Sequence, residues 1–292
     1  MNAKECLDNG QLSDAIRAMN DEIKARPTDL PLRTVVFQLH CYAGDLDRAE
    51  KQLDVIRTRS TEIELVNGLR VYQGLLNAER TRNQLFEQGL RPRFVIAPPE
   101  NVLWHLDALD RIREGRLEEA RALLDRAGAA QAVVRGVIGE VEFDEFRDAD
   151  DLLAPVLEVY STTGYYWVPW AHVQYLEVPP PKTLLDLLWA PAKLATFDGQ
   201  LGEVFLPSLY PGTASAPDGP LRLGRQTDWI ELGAGIVRGV GRKSYLVGEE
   251  VRTLQELGEV HFVFDGESES ESEASPGQNP SPSMPSPPED VV

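Results

Sequence analysis

Apolar positions in the first 130 residues recur at three- and four-residue steps, the spacing of an amphipathic helix face. Leu12, Ala15, Ile16, Met19 and Ile23 form one such face. Val36, Leu39, His40 and Ala43 form the next, followed by Leu46, Ala49, Leu53 and Ile56. The stretch 62–88 predicts one or two further helices through Leu65, Leu69, Tyr72, Leu75 and Leu76. Arg91-Pro92 and Pro98-Pro99 then break the chain into a loop. Asn101 starts another helix, with Val102, Leu103, Trp104 and Leu106, and Leu117 to Leu124 complete the last pair.

A repeat underlies this pattern. Gly10-Gln-Leu12-Ser-Asp-Ala15 returns as Gly44-Asp-Leu46-Asp-Arg-Ala49 and again as Gly115-Arg-Leu117-Glu-Glu-Ala120. The first interval is 34 residues and the second is 71, close to two periods. That is the period of tetratricopeptide-type helical hairpins, with glycine at the turn and alanine where two helices press together. The copy expected near residue 79 lacks its glycine, because Asn77-Ala78-Glu79-Arg80 stands there. Pro27 gives the first repeat a stop. Stacked hairpins form a curved surface suited to a peptide or helix.

After Gly139 the pattern changes. Asp148, Asp150 and Asp151 precede Leu152-Leu153-Ala-Pro155-Val156 and read as acids at a helix N-terminus, where they complement the dipole. A calcium loop needs a glycine turn and a closing glutamate, and neither is present. Tyr165 to Trp170, Val173, Leu176 to Val178, Lys193 to Thr196, Glu203 to Leu206, Trp229 to Leu232, Ile236 to Val240 with Lys243 to Val247, and Val260 to Phe264 read as strands. Asp198-Gly199 marks a hairpin turn. The expected fold class is α+β. Residues 1–138 form a tetratricopeptide-like helical-repeat domain. Residues 139–264 form a smaller, strand-rich domain, and residues 265–292 a disordered tail.

Charge sharpens this division. The 292 residues hold 47 acids against 29 bases, a net charge of −18. Seven of the acids and six prolines lie in residues 265–292, with no base. Such a segment buries too little apolar surface to offset its ordering entropy. The remaining −11 still repels phosphate, which argues against nucleic acid and anionic membranes as partners. No window is apolar enough to span a bilayer, and the first twenty residues contain no secretory h-region. Cys6 and Cys41 are the only cysteines, which suits a reducing cytoplasm.

The search for chemistry finds no catalytic set, no cofactor motif and no metal-ligand spacing. His40, His105, His172 and His261 are scattered. Gly235 to Ser244 resembles a phosphate loop, but Arg242 separates Gly241 from Lys243, and the run reads as a glycine-bent strand pair. Arg238, Arg242, Lys243 and Arg252 are either an anion site or partners of Glu249 and Glu250. Four of five tryptophans fall in the strand-rich half. Clustered aromatics make either a core or a partner-binding groove. On the second reading Tyr166, Trp167, Trp170, Trp189 and Trp229 are the partner-binding candidates.

Several segments together resemble a known family. They are Asp148-Ala-Asp150-Asp151-Leu-Leu-Ala-Pro155-Val-Leu-Glu158-Val, Tyr165-Tyr166-Trp167-Val-Pro169, and Leu185-Asp186-Leu-Leu-Trp189-Ala-Pro-Ala192. Asp198-Gly199 follows, then Glu203-Val-Phe-Leu206-Pro207-Ser-Leu-Tyr210, and Leu223-Gly224-Arg225-Gln-Thr227-Asp228-Trp229. This series resembles the ImpE/SciE family, the TagJ-type accessory proteins of bacterial type VI secretion. Ala154 departs from a glycine common before the proline, and the acidic tail lies outside the family pattern. The resemblance implies a cytoplasmic, non-catalytic protein. It implies binding to the N-terminal helix of the small contractile-sheath subunit, and a link to sheath assembly and disassembly by the ClpV-type AAA+ ATPase. The alternative is an enzyme or small-ligand-binding protein using the strand-rich half.

Overall fold

The computed structural model describes residues 2–59 and 63–263. The acidic tail, residues 265–292, lies outside the described residues.

Among the described residues seven helices come first: α1 (Ala3–Asp8), α2 (Leu12–Ala25), α3 (Leu30–Tyr42), α4 (Leu46–Arg59), α5 (Ile63–Gln88), α6 (Glu100–Arg113) and α7 (Leu117–Ala129). The three repeat glycines are the turns of three hairpins, α1/α2, α3/α4 and α6/α7. Gly10, Gly44 and Gly115 have φ of +75°, +69° and +74°, a region where a Cβ is strained. Local capping fixes where helices begin. Asn2 and Glu5 form a reciprocal capping box, and Asp29 accepts the Leu32 N–H at 3.0 Å. Where the fourth glycine is missing there is no turn. The chain continues as α5, a single 26-residue helix through Glu79 and Arg82.

Among the described residues thirteen strands follow, with two short α-helices among them. They are β1 (Arg135–Ile138), β2 (Val141–Phe143), β3 (Phe146–Asp148), β4 (Val156–Ser161), β5 (Gly164–Pro169), β6 (Val173–Glu177), β7 (Trp189–Thr196) and β8 (Leu201–Pro207). After α8 (Gly219–Arg222) come β9 (Thr227–Gly233), β10 (Ile236–Gly241), β11 (Ser244–Val247) and β12 (Glu250–Thr253). Then come α9 (Leu254–Leu257) and β13 (Glu259–Val263). The main sheet has eight antiparallel strands in the order β2-β1-β13-β6-β7-β8-β4-β5. A three-stranded sheet, β12-β11-β3, and the hairpin β9-β10 complete the half. The change from helix to strand falls between Ala129 and Arg135, so β1 already pairs with β13 ahead of residue 139.

Two apolar clusters divide the interior. The first joins the helices to one side of the sheet, with Val36, Leu76, Val102 and Leu106 packed together with Val156, Tyr160, Trp167 and Trp189. The second lies on the other side and includes Leu157, Val159, Val168, Leu194, Phe146, Trp170 and Phe262. The period-2 alternation of strands produces this split. The helical and strand-rich halves therefore share a core.

The expectation of a helix after Asp148–Asp151 is corrected. Residues 151–155 are turn, and β4 follows. Asp148 and Asp150 are buried and organise that turn. Asp148 Oδ1 accepts the Asp150 N–H, Asp150 Oδ1 accepts the Leu152 N–H, and Asp150 Oδ2 accepts the Gly239 N–H of β10. Carboxylates that bind backbone donors in this way offer the chain an alternative to a helical turn.

The repeat glycines differ in surroundings. A Cβ at Gly44 would lie 2.7 Å from Ala214 Cβ, and one at Gly10 2.9 Å from Pro220 Cδ, both in the strand-rich half. A Cβ at Gly115 would meet nothing within 4 Å. Gly115→Ala is therefore expected to cost only its backbone strain, about 1 kcal/mol. Gly44→Ala is expected to cost more, because the clash adds to the strain. Urea denaturation of both variants checks the order.

Candidate functional site

The segment Tyr165-Tyr166-Trp167-Val168 is the hinge of the site, because its side chains alternate across β5. Tyr165 and Trp167 turn toward α5 and are fully buried. Tyr166 and Val168 turn to the opposite side.

On the α5 side lies a cluster of buried charges. Glu158 of β4 is at its centre and has no exposed surface. Arg82 of α5 grips it with two bonds, Nε to Oε1 at 2.8 Å and Nη2 to Oε2 at 2.6 Å. The same Nη2 donates to the Leu209 carbonyl at 2.8 Å. Lys243 Nζ, just ahead of β11, lies 2.8 Å from Glu158 Oε2 and 3.1 Å from Asp148 Oδ2. The Tyr165 hydroxyl donates to Glu158 Oε1 at 2.5 Å and accepts the Trp167 indole N–H at 2.5 Å. Tyr210 donates to Asp148 Oδ1 at 3.0 Å. One turn back on α5, Glu79 Oε2 accepts from the Tyr160 hydroxyl at 2.6 Å and the Trp189 indole at 3.1 Å. Glu158 and Asp148 thus face Arg82 and Lys243, with Glu79 3.4 Å from Arg82 as a third acid and hydrogen bonds on the remaining lone pairs.

Burial by itself raises the Glu158 carboxyl. The charges of Arg82 and Lys243 and their hydrogen bonds outweigh it and bring the group down to about 2. Burial pushes the His105 imidazole down to about 4, so it is a neutral core residue. The Cys41 thiol is pushed well up by burial. Among the described residues, no three potential ligands converge as a metal site. The cluster borders a small cleft of about 170 Å³ where α3, α5 and the loop after β8 meet, lined by Tyr42, Glu79, Asn83 and Trp189.

On the other side of β5 an apolar groove of about 390 Å³ lies open. Val95, Val159, Tyr166, Val168, Leu194 and Val204 line it, with Thr163 and Gln200 among the polar residues beside them. The Arg93 guanidinium sits 5.4 Å from the Tyr166 ring centroid, and the Tyr166 hydroxyl lies 2.9 Å from Thr163 Oγ1. Trp229 belongs to a different element. It is 41% exposed on β9, beside the exposed Ile230, with Tyr210 at 5.8 Å between ring centroids.

The sequence candidates therefore separate. Trp167, Trp170 and Trp189 are no more than 2% exposed, and their reading as partner-facing residues is corrected. Trp167 and Trp189 donate into the charge cluster, and Trp170 packs edge-on against Phe146 at 4.6 Å. Tyr166 and Trp229 remain at the surface. The anion-site reading of the basic set fails at Lys243, whose charge is spent on Asp148 and Glu158, and Arg252 pairs with Glu250. The cluster residues Arg82, Glu158 and Asp148 had one signal in the sequence, a carboxylate placed inside an apolar strand, Leu157-Glu158-Val159.

Removing one partner of a buried pair leaves the other charge uncompensated, at about 3–5 kcal/mol. Glu158→Gln and Lys243→Met are each expected to destabilise on that scale in chemical denaturation. The pH dependence has a defined sign. A depressed carboxyl stabilises fully above its unfolded value of 4.5, and that contribution falls away as pH drops toward about 2. The loss is about 3 kcal/mol across that window. Stability measured from pH 6 to pH 2 should therefore fall less steeply in Glu158→Gln than in the native chain.

The family profile described as ImpE protein matches residues 140–261. The type VI secretion system accessory component TagJ of Pseudomonas aeruginosa is 33% identical over 262 residues, covering 90% of this chain and 91% of that protein. The crystal structure of protein VPA1032 from Vibrio parahaemolyticus superposes with a TM-score of 0.82 at 26% identity, covering 89% of this chain and 97% of that one. The α+β architecture, helical first and antiparallel second, is thus shared along nearly the whole of the matched structure. The chain belongs to the ImpE family, the TagJ-type accessory components of type VI secretion.

Proposed function

We propose that this chain is a cytoplasmic, non-catalytic adaptor that grips the N-terminal helix of the small contractile-sheath subunit. Through that helix it is linked to sheath assembly and disassembly by the ClpV-type ATPase. The observation that carries this reading is the open apolar groove at Tyr166 in a chain of this family. An amphipathic helix lays apolar residues spaced i, i+3, i+4, i+7 into such a groove. Tyr166 supplies a rigid aromatic anchor, and Thr163 and Gln200 supply polar groups beside it. The net charge of −18 favours a helix flanked by basic residues.

An adaptor also suits the charge cluster better than an enzyme does. Arg82, Glu158, Lys243 and Asp148 are committed to one another and enclosed. Among the described residues, no helix is long and apolar enough to cross a membrane. The acidic body argues against nucleic acid and anionic lipid as partners.

Calorimetric titration with the N-terminal helix of the small sheath subunit tests the reading. Binding is expected in the micromolar range or tighter, and Tyr166→Ala is expected to raise the Kd by roughly 5- to 30-fold. Trp229→Ala is the comparison. An equal loss in that variant would move the helix to the β9-β10 hairpin, and no binding at low salt would end the proposal.

A further inference from the structure

Some arginines of this acidic chain have a carboxylate partner and others bind only carbonyls or rings; two of the second kind share a pocket. Arg80, Arg82, Arg91, Arg111, Arg116 and Arg121 all lie within 4 Å of a carboxylate. Among the described residues, Arg225 and Arg242 make no ion pair. Arg225 is exposed and donates Nη1 to the Asp8 carbonyl at 2.9 Å. Arg242 has its backbone tied on both sides, its N–H to the Gln226 carbonyl and its carbonyl to the Thr227 hydroxyl. Its Nε is buried and has no hydrogen-bond partner. Glu256 feels the charge of Arg242 without an ion pair to it, and its Oε2 accepts the Thr253 N–H and hydroxyl.

Both arginines line one pocket of about 500 Å³, where α1 and α3 meet the strand-rich half. The walls are apolar: Leu7, Leu184, Leu187 and Leu223, with Tyr42 behind them. Leu187 is 41% exposed there. Tyr42 donates its hydroxyl to the Leu184 carbonyl at 2.8 Å and so fixes that wall to α3. Gln255 also lines the pocket, and its Oε1 is buried without a partner.

An apolar pocket with two guanidinium groups that make no ion pair is complementary to an apolar side chain flanked by carboxylates. We propose that this pocket is a second docking site, for a leucine-type anchor within an acidic peptide segment of a protein partner. It is separate from the Tyr166 groove and has the opposite charge preference. A basic-edged helix that suits the acidic body as a whole is unsuited to this pocket. The outcome here is therefore independent of the sheath-helix reading.

The test is fluorescence anisotropy on the full chain with a labelled peptide, Glu-Glu-Leu-Leu-Glu-Glu, and its counterpart with lysine in place of each glutamate. The acidic peptide is expected to bind more tightly and to weaken as salt rises. Arg225→Glu with Arg242→Glu is expected to weaken it by about tenfold or more. Arg225→Ala, at an exposed position, keeps the test open if the double variant does not fold, and Leu187→Ser checks the apolar wall. Equal binding of the two peptides, or no loss in Arg225→Ala and Leu187→Ser, would overturn the proposal. Displacement by octanoate at the same concentration as the peptide would give the pocket to free carboxylate amphiphiles instead. Binding that emerges only when residues 264–292 are removed would give it to the chain's own acidic end. Either result also overturns the reading as a partner site.

Discussion

Glu158 is a carboxylate with no exposed surface, set in a strand whose other side chains are almost all apolar. An isolated charge in that position costs several kcal/mol, and only close cations and hydrogen-bond donors offset it. Those cations come from far away in sequence. Arg82 arrives on α5, and Lys243 arrives between β10 and β11. Satisfying Glu158 therefore requires the long helix, strand β4 and the segment between β10 and β11 to be in place together. The rest of the geometry follows from that requirement. Tyr165 is drawn onto Glu158, Trp167 onto Tyr165, and Tyr210 onto Asp148, the second carboxylate of Lys243.

This arrangement gives the two sides of the β4-β5 region different roles. One side is filled by α5 and the aromatic residues that serve the charge cluster, and it locks the helical hairpins to the sheet. The other carries the apolar groove around Tyr166. Adjacent residues of one tetrapeptide thus serve cohesion and display, because side chains on a strand alternate. The turns of the first two repeats reinforce the lock, since Gly10 and Gly44 lie against Pro220 and Ala214 of the strand-rich half. The helical repeats are thus a bracing layer for the sheet.

The surface electrostatics follow the same logic. Most arginines are neutralised locally, often by an acid three or four residues away on the same helix. Such exposed pairs contribute little to stability. They leave the overall negative charge as the long-range signal to partners. Against that background, the unpaired Arg225 and Arg242 form a local positive spot set in apolar walls. A net charge describes approach from a distance, whereas the pocket selects at contact.

The local features were legible in the sequence because their causes are local. The repeat glycines mark turns that require positive φ, the apolar period marks the helices, and Asp198-Gly199 marks the β7-β8 hairpin. The missing glycine near residue 79 left one or two helices open, and the structure decides for one uninterrupted helix. The family, too, was readable from an ordered series of short motifs. What the sequence could not decide was which aromatic faces which way, or what a charge inside an apolar run is paired with. Trp167 and Trp229 look alike in sequence, yet one is buried beneath α5 and the other stands on a hairpin. The acids of 148–151 resembled a helix cap until Gly239 and Lys243, some ninety residues on, supplied their partners. Backbone propensity and periodicity act within a few residues and survive in any context. Burial and ion pairing depend on segments that only the folded chain brings together, and those long-range contacts set the charge cluster, the groove and the basic pocket.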